Sequence, residues 1–178
     1  MLVLEKEKIS KSTNYTKITF AGSRFKYFKN IQTGCFIIYD LLTNFFLNLT
    51  KYVPRDRVII AHGGNVGSVD ILVDYVAREY GFKIFKFRPR SWKDREDLLL
   101  RNKELVEWSN IVVTIFVDGK SPGTSHVLNL AKKLNKSYIS FFVDTENKKV
   151  NVLEHSEDIE LIVKDILKDL GKNITTNN

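Results

Sequence analysis

Residues 110–127, NIVVTIFVDGKSPGTSHV, pass from a continuous apolar run into a loop of small residues and then into a helical pattern. The run at 110–117 is rich in β-branched residues and lacks polar alternation, which is typical of a strand covered on both faces. The loop that follows contains two glycines. After it, apolar residues recur at helical spacing, namely Val127, Leu130, Ala131 and Leu134. This stretch therefore predicts a buried strand, a loop and a helix.

The same order of strand, loop and helix recurs on both sides of this stretch. Residues 15–20 are β-branched and aromatic and end at a glycine turn, and residues 57–62 (RVIIAH) are an apolar run that ends at two glycines. Further strands are predicted at 82–87 and 137–143, with a short edge strand at 149–153. Apolar spacings of three and four predict helices after the second glycine turn and at 32–50, 98–108 and 157–170.

Strict alternation of strands and helices favours an α/β fold. It predicts a parallel sheet with right-handed crossovers and with helices on both faces. We therefore expect a Rossmann-like, three-layer α/β/α domain with a mainly parallel sheet of about five strands. A chain of 178 residues is within the usual range for one domain, so we predict a single domain at 15–170. Residues 1–14 and 171–178 are predicted to be flexible.

Three glycine-bearing loops follow predicted strands and would lie at the carboxyl edge of the sheet, where ligands bind in open α/β folds. Glycine lets backbone N–H groups approach a phosphate, and a helix that begins there adds favourable partial charge. Each loop alone is also explained by ordinary turn formation, but three together favour a nucleotide or phosphate site. The candidate residues are Gly22, Ser23 and Arg24, then Gly63, Gly64, Gly67 and Asp70, then Gly119, Ser121, Gly123 and Thr124.

Some of these side chains have two interpretations. Arg24 either binds an anion or is a surface charge. Asp70 either accepts a hydrogen bond from a ribose hydroxyl or complements the dipole of its helix, and Thr124 is also a candidate helix cap. The loops match neither the Walker pattern nor the GxGxxG fingerprint.

Three further side chains are candidates for ligand contacts. Asn102 is three residues before Leu105, so it lies on the inward side of its predicted helix, where its amide needs a partner. That partner is either the ligand or a neighbouring loop. Arg101 precedes Asn102, and Trp92 lies in an irregular stretch where it either stacks on a base or anchors packing.

The chain has a net charge of +7, which favours anionic partners such as nucleotides, nucleic acids or acidic surfaces. The ordinary explanation of scattered lysines is a solvated surface, so nucleic acid is a candidate partner only. The densest basic block, residues 83–103, contains Lys86, Arg88, Arg90, Lys93, Arg95 and Arg101.

Cys35 is the one cysteine, which excludes an intrachain disulfide and cysteine-based metal spacing. The first residues lack the apolar core of a signal peptide, and the most apolar stretch, residues 35–49, is shorter than the ~20 residues of a membrane span. We expect a cytoplasmic protein without a membrane partner. His62, His126 and His155 are dispersed, so no metal site is predicted.

The order of the motifs resembles the SLOG superfamily, and within it the YspA-like branch, which is related to the LOG proteins and to the Rossmann domain of DprA. The resemblance runs from about residue 15 to 143. It is carried by strand-AGSR, strand-HGG-x2-G-x2-D, a loop with Trp92, an Arg-Asn pair that opens a helix, and strand-DG-x-S-x-GT. It implies the strand order 3-2-1-4-5. It also implies a pocket for a nucleotide-derived ligand, lined by Gly22, Ser23, Arg24, Gly63, Gly64, Gly67, Asp70, Arg101, Asn102, Ser121, Gly123 and Thr124.

The chain departs from the LOG enzymes in their catalytic motif. LOG enzymes cleave the N-glycosidic bond of nucleoside monophosphates and carry PGGxGTxxE, whereas here Ser125, His126 and Val127 follow Gly123-Thr124. The acid is missing, and His126 either acts as an acid or base or has a packing role.

We therefore expect a nucleotide-binding sensor or accessory factor, with catalysis left open and no cofactor other than a bound nucleotide or phosphate. The alternatives are a hydrolase or transferase acting on the glycosidic bond of nucleotides, and a DprA-like module that binds single-stranded nucleic acid. Relatives often dimerise through helices of this domain. The aromatic-rich helix at 35–49 is therefore a candidate homodimer surface as well as a candidate core element.

Overall fold

A six-stranded sheet forms the centre of the fold. The computed structural model describes residues 15–174, with side chains through residue 171. The strand order is β3-β2-β1-β4-β5-β6; strands β1 to β5 run parallel and β6 pairs antiparallel with β5. The strands are β1 (Thr16–Gly22), β2 (Val58–His62), β3 (Lys83–Lys86), β4 (Ile111–Val117), β5 (Ser137–Asp144) and β6 (Lys149–His155).

The predicted α/β fold and the predicted order of the first five strands are confirmed, but the predicted number of five strands was wrong. The stretch that was predicted as a short edge strand forms a seven-residue sixth strand. It follows β5 after a tight turn in which Lys148 adopts a φ of 53°. A parallel neighbour would need a long crossover connection, so a strand that returns directly after a turn must run antiparallel.

Five helices cover the two faces of the sheet within the described residues. They are α1 (Ile31–Leu49), α2 (Val69–Glu79), α3 (Arg95–Trp108), α4 (Pro122–Lys133) and α5 (Glu160–Ile174). Helices α1, α2 and α5 pack over one face in a large apolar cluster, whereas α3 and α4 pack over the other face in two smaller clusters. The predicted three-layer arrangement is therefore approximate: helices cover both faces of the sheet, three on one face and two on the other.

Two helix boundaries differ from prediction. Helix α3 begins at Arg95, where the Asp94 side chain accepts a hydrogen bond from the backbone N–H of Glu96 at 2.8 Å. Helix α5 continues to Ile174, so it extends four residues into the stretch that was predicted as a flexible tail. The predicted flexible residues 1–14 and 175–178 lie outside the described residues.

None of the helices within residues 15–174 is both long and apolar enough to cross a lipid bilayer.

The end of β1 and the start of α2 approach each other closely at Gly22. A Cβ atom at this position would stand 2.5 Å from the Cβ atom of Val69, which is fully buried. Glycine is required here because α2 begins directly against the sheet edge. The same approach brings the first two glycine-bearing loops together.

We expect Gly22→Ala to lower the free energy of unfolding by about 1–3 kcal/mol, because the added methyl group overpacks the contact with Val69. Gly119→Ala is the matched control, since a Cβ atom there meets no other atom within 4 Å. Urea unfolding of both variants checks the prediction, and equal stabilities would contradict it.

Candidate functional site

Ser23 joins three elements at the carboxyl edge of the sheet. Its backbone N–H donates to the Ile115 carbonyl at 3.0 Å, and its hydroxyl oxygen accepts from the Val117 N–H at 3.0 Å. Its carbonyl accepts from the Val69 N–H at 3.2 Å. The residue is fully buried. Ser23 therefore fixes the first loop against β4 and α2, and its polar groups are committed to the protein.

Hydrogen bonds from backbone N–H groups to nearby side chains shape the second loop, residues 63–70. Gly64, with a φ of 75°, donates its N–H to His62 Nδ1 at 3.0 Å. The His62 proton therefore lies on Nε2, which is 2.8 Å from Asp74 Oδ2. Further along, the Asn65 side chain accepts from the Gly67 N–H at 2.9 Å. The loop is held from β2 on one side and from α2 on the other.

Arg101 lies on α3, across the sheet from α2, and it binds the second loop from that side. Its Nη1 donates to the Gly63 carbonyl at 2.6 Å and to the Phe87 carbonyl at 3.2 Å. A Cβ atom on Gly63 would collide with this guanidinium group, so a side chain there would displace Arg101 from its hydrogen bonds. The Arg101 guanidinium also lies over the Trp92 ring, with its carbon 5.6 Å from the ring centre. Burial lowers the pKa of Arg101, although nearby Asp70 opposes that change.

The third loop ends at the N-terminus of α4, where backbone donors are available. Proline at position 122 has no N–H, so the first donors of the helix belong to Gly123 and Thr124. Among the described residues, no side chain caps them, because the Ser121 hydroxyl lies 2.9 Å from the Thr124 hydroxyl instead. By contrast, the first turn of α2 is capped by the Ser68 side chain.

The three loops enclose a cleft of about 260 Å³. Two guanidinium groups and one carboxyl group line it, so an excess of positive charge remains in either protonation state of the carboxyl. The predicted site residues that line this cleft are Gly22, Arg24, Gly63, Asp70, Arg101, Asn102, Ser121, Gly123 and Thr124.

The other predicted residues lie outside the cleft. Ser23 is buried beneath it, and Gly67 uses its carbonyl to accept from the Phe25 N–H at 2.9 Å. Gly119 precedes the helix without lining the cleft. Gly64 and Trp92 line a neighbouring pocket of about 350 Å³, together with Asn65, Val66 and Arg88.

The cleft also includes residues that the sequence motifs did not single out. Asn65 and Ser68 lie between the glycines and Asp70, so loop position alone could have indicated them. Tyr27 belongs to a short 3-10 turn, Phe25–Tyr27, for which the sequence carried no signal. The remaining lining residues are Phe20, Ala21, Leu105, Pro122 and Val127.

Asn102 is buried, as its spacing predicts, but the Arg-Asn pair does not open a helix. Because α3 begins at Arg95, both residues lie in its middle. The Asn102 side-chain oxygen accepts from Arg101 Nε at 3.0 Å, and its amide nitrogen lies 3.2 Å from His126 Nδ1. Burial lowers the pKa of His126, which favours the neutral ring. Asn102 therefore connects α3 to α4 beneath the cleft.

Asp70 is the carboxyl group of the cleft. Burial raises its pKa, while the electrostatic influence of His62, a hydrogen bond from the Asn65 N–H and the charge of Arg101 act in the opposite direction. Its Oδ2 accepts from the Asn65 N–H at 3.1 Å. Asp70 therefore holds the second loop from the inside of the cleft and lines the space that a ligand would enter.

Within residues 15–174, no group of three or more His, Cys, Asp or Glu side chains is arranged to hold a metal ion.

Comparisons with known proteins bear on the fold. No family model and no curated protein matches the chain. The molybdenum cofactor carrier protein from Chlamydomonas reinhardtii is 18% identical with a TM-score of 0.52, and the match covers 71% of this chain and 76% of that chain. The likeness shows a Rossmann-like α/β fold. DNA processing protein A from Helicobacter pylori is 17% identical with a TM-score of 0.44, over 96% of this chain and 85% of that chain.

Asp74 holds His62 beside the second loop, and its carboxylate gives a prediction of how stability depends on pH. Burial acts to raise the pKa of Asp74, but hydrogen bonds from Arg78, His62 and Lys86 outweigh it and lower the pKa to about 2. This pKa is below the value of about 3.9 in the unfolded chain, so the ionised Asp74 carboxylate stabilises the folded state above about pH 4. This stabilisation is lost as the pH falls toward 2.

We expect Asp74→Asn to be less stable than the parent at pH 7 and to lose stability less steeply between about pH 4 and 2. Urea unfolding over this pH range checks both statements. Asp56→Asn, which changes an exposed turn carboxylate, is the control and should have the smaller effect at pH 7. Identical pH profiles for the parent and Asp74→Asn would contradict the assignment.

Proposed function

We propose that this chain binds a nucleotide or nucleotide derivative, with the phosphate at the N-terminus of α4, and acts as a sensor or accessory factor. One observation carries the proposal. The uncapped N–H groups of Gly123 and Thr124 adjoin a cleft that Arg24 and Arg101 also line. A helix N-terminus with free backbone donors favours anions, and guanidinium groups suit phosphate geometry.

The space at Gly123 supports a ligand rather than a packing contact. A Cβ atom at Gly123 would meet no atom within 4 Å, whereas one at Gly22 would collide with Val69 and one at Gly63 would displace the Arg101 guanidinium. Arg24 is exposed, and its backbone is held by a β-bridge to Ser68. The Arg24 side chain can therefore reach an anion while its backbone is held in place.

The composition of the cleft supports binding more than glycosidic-bond cleavage. In the LOG motif the catalytic glutamate follows Gly-Thr by three positions, and Val127 occupies that position here. Val127 is 1% exposed and contributes only an apolar side chain to the cleft. A carrier or sensor needs no catalytic acid, and one of the solved neighbours is named as a carrier of the molybdenum cofactor. Membership of the SLOG superfamily and its YspA-like branch is part of this proposal.

Nucleic acid is the second candidate ligand, and the exposed basic residues of the block at 83–103 favour it. Lys86 and Lys103 form ion pairs with Asp74 and Glu107, at 3.1 and 3.8 Å. Arg101 is committed to the second loop. Outside these ion pairs, the block keeps five exposed cationic residues, Lys83, Arg88, Arg90, Lys93 and Arg95. Backbone phosphates could contact them, and such binding would weaken steeply with salt.

We also propose that the chain is an intracellular homodimer. Tyr39 of α1 and Tyr75 of α2 are exposed, and their ring centres lie 6.4 Å apart. Phe36 and Ile71 are also exposed and lie one helical turn before Tyr39 and Tyr75, on the same sides of their helices, so the four residues form one exposed face. Helix α1 contains no lysine or arginine. A second copy of a chain with a net charge of +7 would meet least repulsion on this face.

Isothermal titration with nucleoside monophosphates is expected to show binding by the parent chain. Arg24→Ala should weaken it about 10- to 100-fold, because a hydrogen bond to a charged group contributes about 1.5–3 kcal/mol. Gly123→Leu should abolish binding by filling the cleft while leaving the unfolding curve largely unchanged.

Matched controls are available for both variants. Lys26→Ala removes an exposed charge that does not line the cleft, and Gly119→Leu adds a side chain in open space outside it. Neither should change the affinity. Unchanged binding by Gly123→Leu would contradict the proposal, release of free base would support the hydrolase, and tighter, salt-sensitive binding of an oligonucleotide would support the second candidate.

Light scattering coupled to size-exclusion chromatography tests the dimer. The parent should elute as a dimer at high micromolar concentration, and Phe36→Ser combined with Tyr75→Ser should convert it to a monomer that remains folded. Leu100→Ser is the control, because Leu100 is 47% exposed on α3, which packs over the other face of the sheet. A monomeric parent chain would contradict this part of the proposal.

A further inference from the structure

The pocket next to the cleft is suited to a planar ring. It has a volume of about 350 Å³ and is lined by Gly64, Asn65, Val66, Arg88 and Trp92. Trp92 is 43% exposed and Val66 is 76% exposed, although both are large apolar residues. Exposed aromatic and apolar surface within a concave site is typical of a place where a ligand stacks.

The pocket and the cleft are connected through shared residues. Asn65 lines both spaces. Arg101 lines the cleft, and its guanidinium lies over the Trp92 ring at 5.6 Å. A ligand held by its phosphate in the cleft would therefore reach the Trp92 ring by passing Asn65.

The polar side chains of this pocket are hydrogen-bond donors. Arg88 can only donate, and it forms no ion pair or side-chain hydrogen bond within the described residues. Its side-chain stem lies against Gly64, since a Cβ atom there would stand 3.2 Å from Arg88 Cγ. The Asn65 side-chain oxygen accepts from the Gly67 N–H, and no hydrogen bond from its NH₂ group is made within the described residues, so this group can donate to a ligand.

The Arg88 guanidinium, which can only donate, favours a ring edge that presents adjacent acceptors. Guanine presents two adjacent acceptors, O6 and N7, which match an arginine, whereas adenine replaces O6 with an amino donor. From these contacts we infer that the pocket is the base subsite of the proposed nucleotide site and that it prefers 6-oxopurine nucleotides, with the ring against Trp92 and its O6 and N7 atoms facing Arg88. This inference rests on the proposed function.

Titration with GMP, IMP, AMP and ribose 5-phosphate tests the preference. IMP keeps O6 and N7 but lacks the amino group of guanine, so GMP and IMP should bind alike and about tenfold more tightly than AMP. Arg88→Ala should remove this difference while retaining binding of the phosphate. Arg90→Ala is the control, because Arg90 is exposed and lines neither space.

Tryptophan fluorescence reports on stacking independently of affinity. The chain has two tryptophans, and Trp108→Phe leaves Trp92 as the only reporter. Phenylalanine keeps an aromatic ring against Phe85 and Phe87, and within the described residues the Trp108 Nε1 atom has no hydrogen-bond partner to lose. GMP should quench Trp92, whereas ribose 5-phosphate should bind without quenching.

The outcomes separate this inference from the proposed function. Equal affinities for GMP and AMP, or saturating GMP binding without quenching of Trp92, would overturn the base subsite while leaving the phosphate site intact. If neither GMP nor ribose 5-phosphate binds, the proposed function fails and the inference fails with it.

Discussion

The hydrogen bonds of Ser23 are the interaction on which the rest of the site depends. Through its N–H, hydroxyl and carbonyl, this one residue joins the end of β1 to β4 and to the first residue of α2. The arrangement requires a glycine at position 22, because any side chain there would collide with Val69. Three loops from separate parts of the chain are thereby brought to one edge of the sheet.

The three loops differ in how their polar groups are used. The first two are satisfied by the protein itself, through Ser23, His62, Asn65 and Arg101. Gly22 is explained by close packing and Gly64 by its backbone conformation. In the third loop, the backbone N–H groups of Gly123 and Thr124 have no side-chain partner in the described structure. No packing contact requires a glycine at position 123. We propose that these two internally bonded loops and the uncapped helix start together form an anion site.

Much of the fold follows from local patterns in the sequence. The apolar runs that precede glycines predict the parallel strands, because such strands are buried on both faces. The site was harder to predict, since a glycine that lets two elements approach and a glycine that leaves room for a ligand look the same in sequence. Ser23 illustrates the difficulty: its burial depends on β4 and α2, which are distant along the chain. The start of α3 was missed because it depends on a local cap at Asp94, before the apolar pattern begins.

The central claim is that the N-terminus of α4 holds a phosphate, and a crystal structure of the chain with a bound nucleoside monophosphate tests it most directly. The account predicts phosphate oxygens within hydrogen-bond distance, about 3 Å, of the Gly123 and Thr124 backbone nitrogens, with Arg24 turned toward them. A nucleotide bound with its phosphate away from this helix start, for example on the exposed arginines between residues 88 and 95, would contradict it.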